Sequence, residues 1–140
     1  MRAAALKGSC AVLCAVVTAS CESSSSRVID GITVTVAKVE RVRAINEAHA
    51  QIRTEAGQEF VKVVLAAEGK GRPPKEMVAA VENWKLAIID QAGKERGPAF
   101  GWRFVDEDAR QVRVYSNPVP IGTQFTVIRI EGQPLSLKGS

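Results

Sequence analysis

His49 is the single histidine of the chain, and imidazole is the side chain best suited to proton transfer near neutral pH. It lies in Asn46-Glu47-Ala48-His49, with Glu55 also close in sequence. A general base needs a positioned partner and a nucleophile or water. No Ser-x-x-Lys, Gly-x-Ser-x-Gly or His-Glu-x-x-His pattern supplies one. His49 is therefore read as a surface or half-buried imidazole, no catalytic residue is assigned, and the chain is not expected to be an enzyme. Asp106-Glu107-Asp108 is the densest acidic run, and carboxylates at alternating positions suit Ca²⁺. It lacks the turn glycine and distal glutamate of an EF-hand loop, so it reads as a solvated acidic turn. Lys70, Arg72 and Lys75 form a small basic loop with Pro73 and Pro74, which suits anionic headgroups or cell-wall polymers. Trp102 and Arg103 are adjacent, and both residue types are favoured at recognition surfaces. Lys70, Arg72, Lys75, Trp102 and Arg103 are the candidate binding residues, whereas Trp84 is expected in the core.

The cysteines and the charge narrow the function further. Cys10, Cys14 and Cys21 are the only three cysteines, all near the start of the chain. Cys10 and Cys14 sit in an apolar run without His or carboxylate neighbours, so neither a metal site nor a cofactor is expected. The region after Cys21 has no thiol for a disulfide, and its stability must come from packing. The formal net charge is +4, of which Arg2 and Lys7 contribute two near the N-terminus. The remainder, about +2, is too small and too scattered for a nucleic-acid partner.

Residues 1–20 read as a targeting segment. Arg2 and Lys7 precede the apolar stretch Cys10 to Ala19, which has signal-peptide length and falls short of a membrane span. Val17-Thr18-Ala19-Ser20-Cys21 resembles the lipobox of bacterial lipoproteins, with Thr18 where that family usually has an aliphatic residue. The resemblance implies cleavage before Cys21, acylation of its thiol and amine with chains such as palmitate, and attachment to a membrane of the cell envelope, facing the periplasm or the exterior. Val17-Thr18-Ala19 also fits the ordinary signal peptidase, which would leave Cys21 as a free thiol. Residues 21–27, with the run Ser23 to Ser26, are expected to be a flexible tether.

The candidate side chains must be carried by residues 28–140, a size that suits one domain with a single core. Ile32, Val34 and Val36 alternate with Thr33 and Thr35, the strongest strand signal in the chain. Val39 falls out of phase, which predicts a bulge near Ala37. Further strands are predicted at Phe60 to Ala67, with Val61, Val63 and Leu65 on one face, and at Trp84 to Asp90, with Trp84, Leu86 and Ile88 on one face. Gln91-Ala92-Gly93-Lys94 reads as a hairpin turn, with Phe100 to Val105 returning along the strand before it. Arg110 to Tyr115, Gln124 to Ile130 (with Phe125, Val127 and either Arg129 or Ile130 alternating onto one face) and Gln133 to Leu137 complete about seven strands, an all-β sandwich. Two stretches favour an α+β alternative. Val42, Ile45, His49 and Ile52 have helical spacing, and Pro74 to Ala92 has good helix formers after a proline.

Three segments resemble successive strands of one family: Gly31 to Glu40, Ala56 to Val64 and Trp84 to Lys94. It is a family of bacterial lipoprotein and secreted domains with an immunoglobulin-like sandwich, related to a mycobacterial secreted immunoprotective antigen. The likeness covers roughly Val28 to Leu137 and departs from the family in the Glu68 to Glu76 loop, where Lys, Arg and Pro replace an Asn-rich turn. It implies an immunoglobulin-like fold and an envelope location, and it carries over no functional residue. The expected function is a non-catalytic, lipid-anchored module that binds an envelope protein or polymer. The alternative is an accessory or inhibitor domain acting on an envelope enzyme or polymer.

Overall fold

The computed structural model describes residues 24–47, 50–99, 102–107 and 110–137. Among them run eleven strands and one helix. In chain order these are β1 (Ser26–Ile29), β2 (Ile32–Val42), β3 (Ala44–Glu47), β4 (Ala50–Arg53), β5 (Gln58–Glu68), α1 (Pro74–Asn83), β6 (Leu86–Asp90), β7 (Arg103–Val105), β8 (Gln111–Tyr115), β9 (Val119–Pro120), β10 (Phe125–Ile130) and β11 (Gln133–Ser136). The protein is an all-β sandwich with one short helix. One sheet has the order β1-β2-β5-β8-β7, with β9 also on β5. The other has the order β11-β10-β6, and β3 and β4 form a separate hairpin. The pairings within these sheets are antiparallel.

The alternation in β2 sets the inner face of the large sheet. Ile32, Val34 and Val36 are buried, while Thr33 is exposed and Thr35 partly so. Val61, Val63 and Leu65 of β5 and Val112 and Val114 of β8 continue that face. Ile88 of β6, Ile128 and Ile130 of β10 and Leu135 of β11 close it from the small sheet, in one continuous cluster. Each such side chain is worth roughly 1.5–3 kcal/mol when withdrawn from water, and in the absence of disulfides this burial is what holds the sandwich. The register of β2 on β5 shifts between Val36 and Lys38, which is the bulge at Ala37. It carries Val39 back opposite Val63, against the core.

Both helical segments of the α+β alternative can be judged against the structure. Pro74–Asn83 is a helix, opened by Pro74 and burying Met77 and Val81. Trp84, expected to begin a strand, is instead the residue that ends this helix, and the strand starts at Leu86. The 42–56 segment is a hairpin and not a helix, with Ile45 opposite Ile52. Their spacing of seven satisfies a helix, and it serves equally for two residues paired across antiparallel strands.

Three further expectations need correction. Of the segment Phe100 to Val105, Phe100 and Gly101 lie outside the described residues, and Arg103–Val105 does not return along β6. Residues 95–97 fill that place, through Arg96 N–H to Ile88 O (2.7 Å) and Ile88 N–H to Gly97 O (2.7 Å), and β7 pairs with β8. In β10 a register shift between Phe125 and Val127 brings Ile128 and Ile130 to the core, leaving Val127 half-buried and Arg129 exposed.

The Ser-rich segment is the third. Ser26 and Arg27 belong to β1. Ser24 Oγ donates to Ser26 O (2.7 Å) and accepts from Ser26 N–H (3.2 Å), which blunts the edge of β1. Ser24 O accepts from Ser136 N–H (2.7 Å) and Ser25 O from Val36 N–H (2.8 Å), while Arg27 Nε donates to Pro134 O (2.9 Å). A seam between β1 and β11 thus joins the two sheets. Short serines serve here because their hydroxyls satisfy backbone groups locally.

Candidate binding site

The outer face of the large sheet has two halves. The hairpin β3–β4 covers one. Ile45, Phe60 and Tyr115 are buried there with Val42, Ala50, Ile52, Trp102 and Phe104 packed around them. Phe60 meets Trp102 edge to face at 5.4 Å, and Phe104 meets Tyr115 at 5.7 Å. Trp102 is therefore half-buried packing on a second small core.

An ion network locks the hairpin down. Arg113 Nε and Nη2 donate to Glu47 at 2.9 to 3.1 Å, and Arg113 Nη1 donates to Asp106 Oδ1 at 2.8 Å. Tyr115 Oη donates to Glu47 Oε2 at 2.7 Å. Burial acts to raise the Glu47 pKa, but the bonds from Arg113 and Tyr115 outweigh it and leave the carboxyl below its ordinary value. The same bonds hold the Arg113 pKa above the ordinary guanidinium value. Burial, then Glu47, pushes the Tyr115 phenol up. Asp106, the first residue of the acidic run, is thus committed to an arginine. Among the described residues no three His, Cys, Asp or Glu gather as a metal site; Asp108 and His49 lie outside the described residues, as do Cys10, Cys14 and Cys21.

The other half of the outer face is bare and concave. A hollow of about 500 Å³ is lined by Thr33 and Thr35 of β2, Ala66 and Glu68 of β5, Arg110, and Gly69, Arg72, Pro74 and Met77 from the β5–α1 connection and the helix. Thr33 lies opposite Glu68 and Thr35 opposite Ala66, so these four share one outward patch. Gly69 permits the close approach of the loop, since a Cβ there would lie 2.9 Å from Met77 Sδ. Val28 of β1, opposite Thr33 and 62% exposed, stands at the border.

The basic loop divides on this geometry. Arg72 lines the hollow and donates through Nη1 to the carbonyl oxygen of Asp30. Asp30 and Gly31 form the β1–β2 turn at positive φ (54° and 76°), the pairing a tight hairpin prefers. Trp84 Nε1 donates to Asp30 Oδ2 at 2.7 Å, so the tryptophan assigned to the core also ties the helix end to this turn. Lys70 and Lys75 are exposed and are not among the lining residues. Arg103 lies elsewhere. Its Nη1 donates to Val81 O (2.6 Å) and Glu82 O (3.0 Å), so it satisfies carbonyls at the helix C-terminus. Burial lowers its pKa, with Glu82 and Glu131 acting the other way.

The hollow therefore brings together one expected residue, Arg72, with Thr33, Thr35, Glu68 and Arg110, which the sequence did not single out. The alternation in β2 had sent Thr33 and Thr35 outward, where they read as plain solvent-facing positions. Two other charge pairs are structural: Arg41 with Glu59 (2.6 Å) and Arg96 with Asp90 (2.8 Å). No family model, no curated protein and no solved structure matches the chain.

Proposed function

We propose that this chain is an exported protein, anchored in the cell envelope by lipid on Cys21, whose sandwich domain acts by binding and not by catalysis. The concavity on the bare half of the outer face supports the binding role. Its lining groups are guanidinium, carboxylate, hydroxyl and apolar side chains, with neither imidazole nor thiol among them. That set suits recognition better than acid–base or nucleophilic chemistry. Three of the clearest acid–base pairs elsewhere, around Glu47, Glu59 and Asp90, are engaged in holding strands and turns together.

The small residues before Cys21 support the anchor, as does the resemblance of the strands to an immunoglobulin-like lipoprotein family. Among the described residues no helix is long and apolar enough to cross a membrane. The partner is an envelope protein or polymer rather than nucleic acid. Cys21→Ser should move the protein from the membrane to the soluble fraction, and intact mass should show acyl chains on a mature chain beginning at Cys21. A mature chain beginning at Ser20 with a free thiol overturns the anchor.

A further inference from the structure

We infer that the concavity takes a small anion that also carries a hydrogen-bond donor: a carboxylate or phosphate on a short body, with a hydroxyl or ammonium beside it. The inference rests on the binding role proposed above and names the ligand chemistry of that site.

Charge selects the anion. The lining holds the guanidinium of Arg72 beside the carboxylate of Glu68, with Arg110, itself already engaged, at the same wall. Arg72 is oriented without being consumed. Its Nη1 is held by the Asp30 carbonyl, and among the described residues its other guanidinium N–H groups meet no acceptor. A guanidinium fixed at one corner presents its remaining donors in a planar fork, the geometry that matches a carboxylate or phosphate. The wall beside it includes Pro74, the first residue of α1, and the helix starts without a side-chain cap. That end carries the positive side of the helix dipole.

Glu68 selects the donor. It is exposed on the rim, and among the described residues its carboxylate makes neither a hydrogen bond nor an ion pair. A bare anion would be repelled by it, whereas a ligand with a hydroxyl or ammonium would satisfy it. Thr33 Oγ1 lies on the same patch and can donate or accept. Thr35 Oγ1 is already shared with Ser26 Oγ at 3.0 Å. Between the charges the surface is Ala66, Met77 and Pro74, a floor for an aliphatic body. The volume lies within the ordinary range for small-ligand sites.

Two sources carry this chemistry, the free end of a peptide and an acidic sugar. The test is amide chemical-shift titration of the full exported chain in micelles. The probes are alanyl-alanine, glucuronate and glycerol phosphate, with glucose and alanyl-alanine amide as the uncharged-carboxyl controls. Saturable shifts of Thr33, Ala66, Glu68, Gly69 and Arg72 are expected with at least one anionic probe and not with the controls. Preference for the dipeptide assigns a peptide end; preference for glucuronate assigns an acidic sugar. Glu68→Gln should weaken binding by about tenfold, the effect of one lost charge-assisted bond. Ala66→Phe fills the hollow from an exposed position and should abolish the shifts while the Tm holds. The inference fails if no anionic probe saturates, if the controls bind equally, or if Ala66→Phe binds as the wild type does. Binding by a chain whose Cys21 carries no lipid overturns the anchor alone. A lipidated chain that binds no probe overturns this inference alone.

Discussion

The two halves of the large sheet's outer face are made from the same three strands and meet opposite fates. Toward one end, Phe60, Tyr115 and Arg113 point outward and are covered by the β3–β4 hairpin. Toward the other, Thr33, Thr35, Ala66 and Glu68 point outward and are left open. The difference lies in what the side chains demand. Aromatic rings and a half-buried guanidinium require a cover that supplies both apolar area and a carboxylate, and the hairpin brings Ile45, Ile52 and Glu47. Threonine and alanine require nothing, so that half remains available to another molecule.

The largest test of this contrast is Phe60→Ala. The ring is fully buried and packed against Trp102, so truncation should cost about 3–5 kcal/mol in urea unfolding. Ala66→Ser on the bare half should stay within about 0.5 kcal/mol. Equal costs would erase the distinction between the halves. The inner face offers a parallel pair: Val34→Asp buries an unpaired charge and should prevent folding, while Thr35→Asp should fold.

The next effect is electrostatic. The Glu47 pKa is lowered in the folded protein from an ordinary 4.5. A carboxyl whose folded pKa is depressed adds stability that is present above its unfolded pKa and is lost as pH falls through the folded one. Stability should therefore decline as pH drops below about 4.5, and Glu47→Gln should flatten that decline. Asp90 and Glu40 are also lowered, Asp90 first by the hydrogen bond from Arg96 and Glu40 first by that from Lys38, and they contribute in the same window, so the difference between wild type and Glu47→Gln is the quantity to read. Glu47→Gln itself should cost about 1–3 kcal/mol at neutral pH by leaving Arg113 short of its partner. A variant whose acid profile matches the wild type removes Glu47 from the hairpin's cover.

Smaller effects separate Arg103 from the lysines. Arg103→Gln loses two bonds to helix carbonyls and should cost about 1 kcal/mol, a fall of roughly 4 °C in Tm, with ligand binding unchanged. Lys70→Ala and Lys75→Ala should alter stability by less than about 0.5 kcal/mol. A loss of binding in Arg103→Gln at unchanged Tm would return that residue to a recognition role.

Period-two alternation made the inner face of β2, β5 and β8 legible, because burial on one side leaves a pattern in neighbouring residues. The bulge at Ala37 was legible for the same reason, since a one-residue insertion shifts the phase of everything after it. The outer face was harder to read. Phe60 and Val64 interrupt the alternation of β5 because that strand is covered on both sides for part of its length. The 42–53 hairpin was hidden because a spacing of seven serves two geometries. The candidate site was the least legible part. Its residues come from β2, β5, the following loop and the approach to β8, and only pairing makes them neighbours. Trp102 and Arg103 looked like recognition residues by type, yet an aromatic partner and a helix end had prior claim on them.

The serine clasp at the seam bears on mechanics. Ser24 is held by β11 and Ser25 by β2. A force applied to the chain at Ser24 therefore meets both sheets at once, and it is shared between them instead of peeling away a single strand.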